Sequence, residues 1–165
     1  MQRLGMKKTK RPFGNRSGNV MIEFALGALV LVHSFAWTFQ YGYTFFRYNT
    51  LLAAVNAGAR YASLSPYDSL TPTPSTAFSN AVKNMVVYNN PAGGTTPVVP
   101  GLTTAKVSLE VTFTSSSSST DKPDYMTVWI SSFSIPALFK TVTFTTKPKV
   151  KYKYQGIYSP AAGGA

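Results

Sequence analysis

Between Phe24 and Phe46 the chain contains no Lys, Arg, Asp or Glu. At a rise of ~1.5 Å per residue such a run makes a helix of about 34 Å, enough to cross a bilayer core of ~30 Å. A single membrane anchor follows, and any folded domain must be assembled from residues beyond it. A secretory signal peptide fits part of the same stretch: a basic start, an apolar core from Phe24 to Val32, and Ser34-Phe-Ala36 before a cut at Trp37. The apolar and aromatic character, however, continues to Phe46, further than a signal peptide requires.

The flanks set the orientation. Six of the sixteen basic residues (Arg3, Lys7, Lys8, Lys10, Arg11 and Arg16) precede Gly18, where there is no acid. Positive flanks stay cytoplasmic, which sends the C-terminal part across the membrane. Removing that leader lowers the net charge from +11 to +5, with ten basic side chains against five acidic ones. With a membrane span directly downstream, the basic cluster reads as a topology signal rather than a nucleic-acid contact.

Glu23 stands at the entrance of the apolar run. A carboxylate deep in hydrocarbon costs about 2.5–3.5 kcal/mol on insertion scales, so an acid here needs water, a partner or a task. Headgroup water and the favourable dipoles of a helix N-terminus offer one solution. A second comes from Gly18. If the chain is cut after it, Asn19 carries a new ammonium, and Glu23 lies four residues on, along the same helical face.

Gly18-Asn-Val-Met-Ile-Glu23-Phe24 resembles a type IV prepilin processing site, with glycine before the cut, glutamate fifth in the mature chain and an aromatic sixth. With the short apolar helix and Ala57-Gly-Ala-Arg-Tyr-Ala62 beyond it, the chain is similar to the TadE/TadG-like minor pseudopilins of the tight-adherence (Flp) pilus system. It departs from them at Leu29, where TadE-like sequences often carry proline. The resemblance implies that Gly18 and Asn19 form the processing site, that Glu23 is the charge partner used in assembly, and that Phe24 is its aromatic neighbour. It also implies a minor pseudopilin that supports assembly or priming of a pilus or secretion filament. The expected partners are a prepilin peptidase, other pilins or pseudopilins of the same system, and the bacterial inner membrane. The chain would pass the membrane once, N-terminus cytoplasmic and C-terminal domain periplasmic, and would be extracellular within a pilus. The alternative is a permanently anchored periplasmic assembly or adhesin-like binding protein that enters no filament.

Beyond the anchor the helical pattern persists. Tyr48, Leu51 or Leu52, Val55, Ala59 and Ala62 recur at three-or-four spacing, an amphipathic continuation that makes residues 19–64 one helix with its anchor at 24–46. Ala54, Gly58 and Ala62 align small residues on one face, for packing against the chain's own sheet or against another subunit. Ser65-Pro66 ends the helix. Thr73 as cap and Pro74 in the first turn start a short second helix that places Phe78, Val82, Met85 and Val86 on one face.

From Lys106 the period becomes two. Val107, Leu109, Val111 and Phe113 alternate with polar residues, and Ser115 to Asp124 reads as a mobile polar loop. Tyr125 to Phe133 is apolar or aromatic on both faces, as in a strand covered on two sides. Pro136 to Phe139 reads as a turn, Thr141 to Thr146 as a third strand, and Lys149 to Tyr154 as a candidate fourth. The expected fold is α+β: a long transmembrane-plus-amphipathic helix packed on a small antiparallel sheet of three or four strands, with one extra short helix. Residues 1–18 are then a basic leader, 65–156 the periplasmic domain and 157–165 a flexible tail.

No cysteine is present, and the one histidine, His33, lies in the anchor, as a proton relay or as a hydrogen-bonded helix-contact residue. A histidine base or a His-ligated metal is therefore unavailable to the domain, and no nucleotide or hydrolase motif occurs. Neither an enzyme nor a metal or cofactor site is expected. The Lys147–Tyr154 alternation suggests nucleic acid only superficially, since in a strand the lysines and tyrosines separate onto opposite faces. Lysines on an edge strand also discourage stray pairing.

Overall fold

The computed structural model describes residues 16–114, 122–136 and 140–159, with side chains from Gly18 onward. Residues 1–15 of the expected leader, residues 115–121 of the expected polar loop, most of the turn at 137–139 and the end of the tail at 160–165 lie outside the described residues, while Pro123 and Asp124, expected in that loop, belong to a strand. The chain divides into two compact units, Met1–Phe39 and Gln40–Ala165. Helix α1, Arg16–Leu64, contributes to both.

In the first unit the helix from Gly18 is exposed at every position except the half-buried Ala28 and Ala36. A helix apolar all round is stable against lipid rather than water, provided its polar side chains are satisfied. Three of them are: His33 Nδ1 lies 2.8 Å from the Leu29 carbonyl, Ser34 donates to Val30 at 2.9 Å and Thr38 to Ser34 at 3.0 Å. Each bond returns to the preceding turn of the same helix, so none of the three needs a neighbouring helix for its partner.

In the second unit α1 turns amphipathic. Leu51, Ala54, Val55, Gly58, Ala59 and Ala62 are buried at the expected spacing. The small-residue face is occupied within the domain: a Cβ at Gly58 would fall inside the Val86 side chain and 3.5 Å from the Val82 carbonyl, both on helix α2. Glycine is required there because α2, Thr76–Tyr88, crosses so close. Its cap is Ser75, which accepts from the Phe78 amide at 3.2 Å, two residues later than the Thr73 start expected, so Pro74 stands outside the helix. Asn89, left-handed at φ 54°, closes the other end. Phe78, Val82 and Val86 are buried as expected, and Val87 joins them in place of the half-buried Met85.

After a single 3₁₀ turn at Thr104–Lys106 come strands β1 (Val107–Phe113), β2 (Pro123–Ile130), β3 (Ser132–Ile135), β4 (Val142–Thr145) and β5 (Lys149–Lys153). They form an antiparallel three-stranded sheet in the order β1-β2-β5 and a separate antiparallel β3-β4 pair. The stretch Tyr125–Phe133 thus breaks at Ser131 instead of running as one strand. Ser131 bonds the Lys106 carbonyl with its amide at 2.9 Å and its hydroxyl at 3.1 Å. The break shifts the alternation by one residue, and Met126, Val128 and Ile130 are followed inward by Phe133 and Ile135 instead of by their even-numbered successors. Together with Tyr67, Val99 and Leu102, these side chains and the helix faces make one apolar core.

Candidate functional site

Gly18, Asn19, Glu23 and Phe24 all lie on the first turns of α1, exposed. Asn19 and Glu23 share a face one turn apart, the arrangement in which an ammonium at residue 19 would meet the carboxylate. Nothing in the fold explains the glycine: a Cβ at Gly18 would meet no atom within 4 Å. Nor is Glu23 held by a partner, since among the described residues the one ion pair joins Lys149 to Glu110, at 4.0 Å. Among the described residues, neither choice is explained by a contact.

The domain has a second organised centre, which the sequence did not flag. Tyr67, the residue after Pro66, is fully buried, with Phe78 edge-on at 5.3 Å, Phe113 edge-on at 6.0 Å and Tyr158 stacked at 6.4 Å. Its hydroxyl donates to the Thr71 carbonyl at 2.7 Å. Its amide is shared between the Ile157 carbonyl at 3.1 Å and the Tyr154 hydroxyl at 3.0 Å, while the Ser159 amide donates to its carbonyl at 3.1 Å. The result is a parallel bridge, Tyr67 to Tyr158, that brings the segment expected to be a loose tail into the domain as far as Ser159. Gly156 makes the approach feasible, because a Cβ there would sit 2.6 Å from the Ser65 carbonyl at the exit of α1.

Burial pushes the Tyr67 hydroxyl up to about 12, with hydrogen bonding to Ser69 opposing the shift and the Asp68 carboxylate adding to it. Tyr154 is raised as well, by burial, against the opposing bond from the Tyr67 backbone. Both are locked as neutral phenols, suited to fastening chain rather than to proton transfer. A signal existed in the aromatic spacing around Pro66 and Tyr154–Tyr158, but pairing residues about ninety apart needs the fold.

The outer face of the three-stranded sheet carries the lysines. Lys149 and Lys151 are exposed, with ammonium groups 4.9 Å from the Trp129 ring centre and 3.9 Å from that of Tyr125. This is how β2 is covered on its second side: the aromatic rings are capped by lysines, a cation–π arrangement that shields them without excluding water.

No curated protein and no solved structure matches the chain. The family model described as TadE-like protein matches residues 18–60, from Gly18 across Leu29 to Arg60, all of it within α1. The match begins at the residue singled out for cleavage and stops before the first strand. Over residues 18–60 the chain therefore carries a TadE-like domain.

Proposed function

We propose that this chain is a minor pseudopilin of the Tad pilus system, made as a precursor, cut after Gly18, and assembled through Glu23. The observation that carries the reading is a pair of residues at the head of a TadE-like helix that no contact among the described residues explains: a glycine with open space around it and an acid without an ion-pair partner. The TadE-like domain ties the chain to pilus components, and α1 is long and apolar enough to cross a membrane. In this reading a prepilin peptidase exposes the Asn19 ammonium and other pilins or pseudopilins pack against the apolar helix. The inner membrane holds the chain until then, with residues 65–156 on the periplasmic side. The role is structural rather than catalytic, and the domain offers a surface instead of a reaction.

The test is to express the chain with and without its prepilin peptidase and to determine the N-terminus of the mature protein. A start at Asn19 is expected. A start at Trp37 would mean ordinary secretion, and an intact Met1 would mean a permanently anchored binding protein. Glu23→Ala is expected to leave the membrane level of the chain unchanged and to abolish its recovery with filaments.

A further inference from the structure

Within the second unit, α1 and β4 frame an open groove of about 310 Å³, lined by Tyr41, Thr44, Phe45, Tyr48, Phe144 and Lys147. Its size is at the lower end of the ~300–1,000 Å³ common for small-molecule sites. Tyr48 and Phe144 form its floor, their rings 5.0 Å apart. The lining is almost wholly apolar, and Phe45 beside it is 67% exposed, an unfavourable surface to leave in water. Besides the tyrosine hydroxyls, two polar groups belong to it. Lys147 is exposed at its edge, and the Thr44 hydroxyl is buried in its lining with no hydrogen-bond partner among the described residues. An unsatisfied buried hydroxyl points to an oxygen that an occupant would supply.

The groove's place along the sequence narrows the occupant. The charge-free run ends at Phe46, immediately before Arg47, so residues 41–46 are the last that can lie against hydrocarbon. Tyr41 and Tyr43 occupy the positions where amphipathic rings gather at a membrane surface. An aqueous metabolite would match neither the apolar lining nor this depth. A molecule with a hydrocarbon chain, ester oxygens and a negative head matches all three features.

We propose that this groove seats one anionic phospholipid of the surrounding bilayer. An acyl chain lies on Tyr48 and Phe144, an ester oxygen accepts from Thr44, and the phosphate pairs with Lys147. The proposal rests on the membrane anchoring inferred above but not on cleavage or filament entry. It would fix the β3–β4 pair to the membrane surface and make the height of the domain above that surface depend on lipid charge.

The test uses the full chain in vesicles of phosphatidylcholine alone or mixed with phosphatidylglycerol, either lipid carrying brominated acyl chains. A W37F/W129F/F144W chain reports from the groove floor, and a W37F chain reports from Trp129 on the outer sheet face. Flotation with the vesicles is scored first, and a chain that fails to float refutes the anchoring itself. In a chain that floats, brominated phosphatidylglycerol is expected to quench the F144W reporter and to leave Trp129 unquenched. Adding K147E is expected to weaken the preference for phosphatidylglycerol about fivefold or more, the effect of losing one lysine–phosphate attraction at a membrane surface. Native mass spectra of the unlabelled chain supply a readout independent of the new tryptophan: phosphatidylglycerol retained by the wild type and lost from K147E. Floating chain whose F144W emission ignores bromine, with no retained lipid, overturns the proposal. Emission that instead follows the protein-to-lipid ratio would seat a second copy in the groove, and overturns it equally.

Discussion

The two ends of α1 are the same kind of helix holding opposite surroundings. From Gly18 to Phe39 nearly every side chain faces outward, and His33, Ser34 and Thr38 bond to their own backbone. From Leu51 to Ala62 one face is sealed under α2 and the strands, and a glycine is needed to let the neighbour in. In the proposed membrane anchor, apolar residues at the start serve a solvent that has no fixed shape, so many residues would do. Those at the far end serve a jigsaw, where a single methyl group matters.

That contrast can be broken by paired substitutions. Leu51→Ala removes a fully buried side chain and should cost about 2–5 kcal/mol in chemical unfolding of the detergent-solubilised chain. Leu31→Ala, at a position 71% exposed, should leave the midpoint in place. Equal losses at both positions would mean that the first half of the helix is packed after all. Gly58→Val should cost about 1–3 kcal/mol through the clash with Val86, while Gly27→Val, with open space around it, should cost nothing measurable in the same assay.

A smaller effect belongs to Tyr67. Replacing it with Phe removes the bond to Thr71 and should cost about 0.5–1.5 kcal/mol at neutral pH. Because the folded hydroxyl is raised from 10.0 to about 12, its contribution is intact below pH 10 and is lost as the pH climbs toward 12. Thermal melts across that window should therefore show a steeper alkaline decline in the parent than in Tyr67→Phe. Smallest of all, Gly18→Ala should leave the melting curve unchanged, since its Cβ meets nothing. N-terminal sequencing of the same variant should show the uncut precursor, which would separate a residue kept for a peptidase from one kept for the fold.

Local pattern made most of the elements legible. Periodicity located both helices, and the period-two runs located β1, β4 and β5. What it missed depended on partners distant in sequence. The Tyr125–Phe133 run reads as one strand until Ser131 finds the Lys106 carbonyl. Thr73 is as good a cap as Ser75 until tertiary packing sets where the first turn lies. The Gly/Ala/Pro composition after Tyr154 suggests a loose end, and only the buried ring of Tyr67 shows why residues up to 159 are held. At the candidate processing site the reverse is true. Gly18 and Glu23 were legible because they break the local rules of an apolar helix, and the fold adds only that no described residue packs on the one or pairs with the other.

The Tyr67–Tyr158 bridge has a mechanical corollary. The two segments run parallel, one leaving α1 and the other heading away from β5. Tension entering through α1 and resisted beyond Ser159 would load that junction in shear, where the two backbone hydrogen bonds to Ile157 and Ser159 must stretch together rather than open one at a time. A domain tethered by its first helix and tugged from its far side would thus meet the load at a clasp of tyrosines, before the sheet itself bears it.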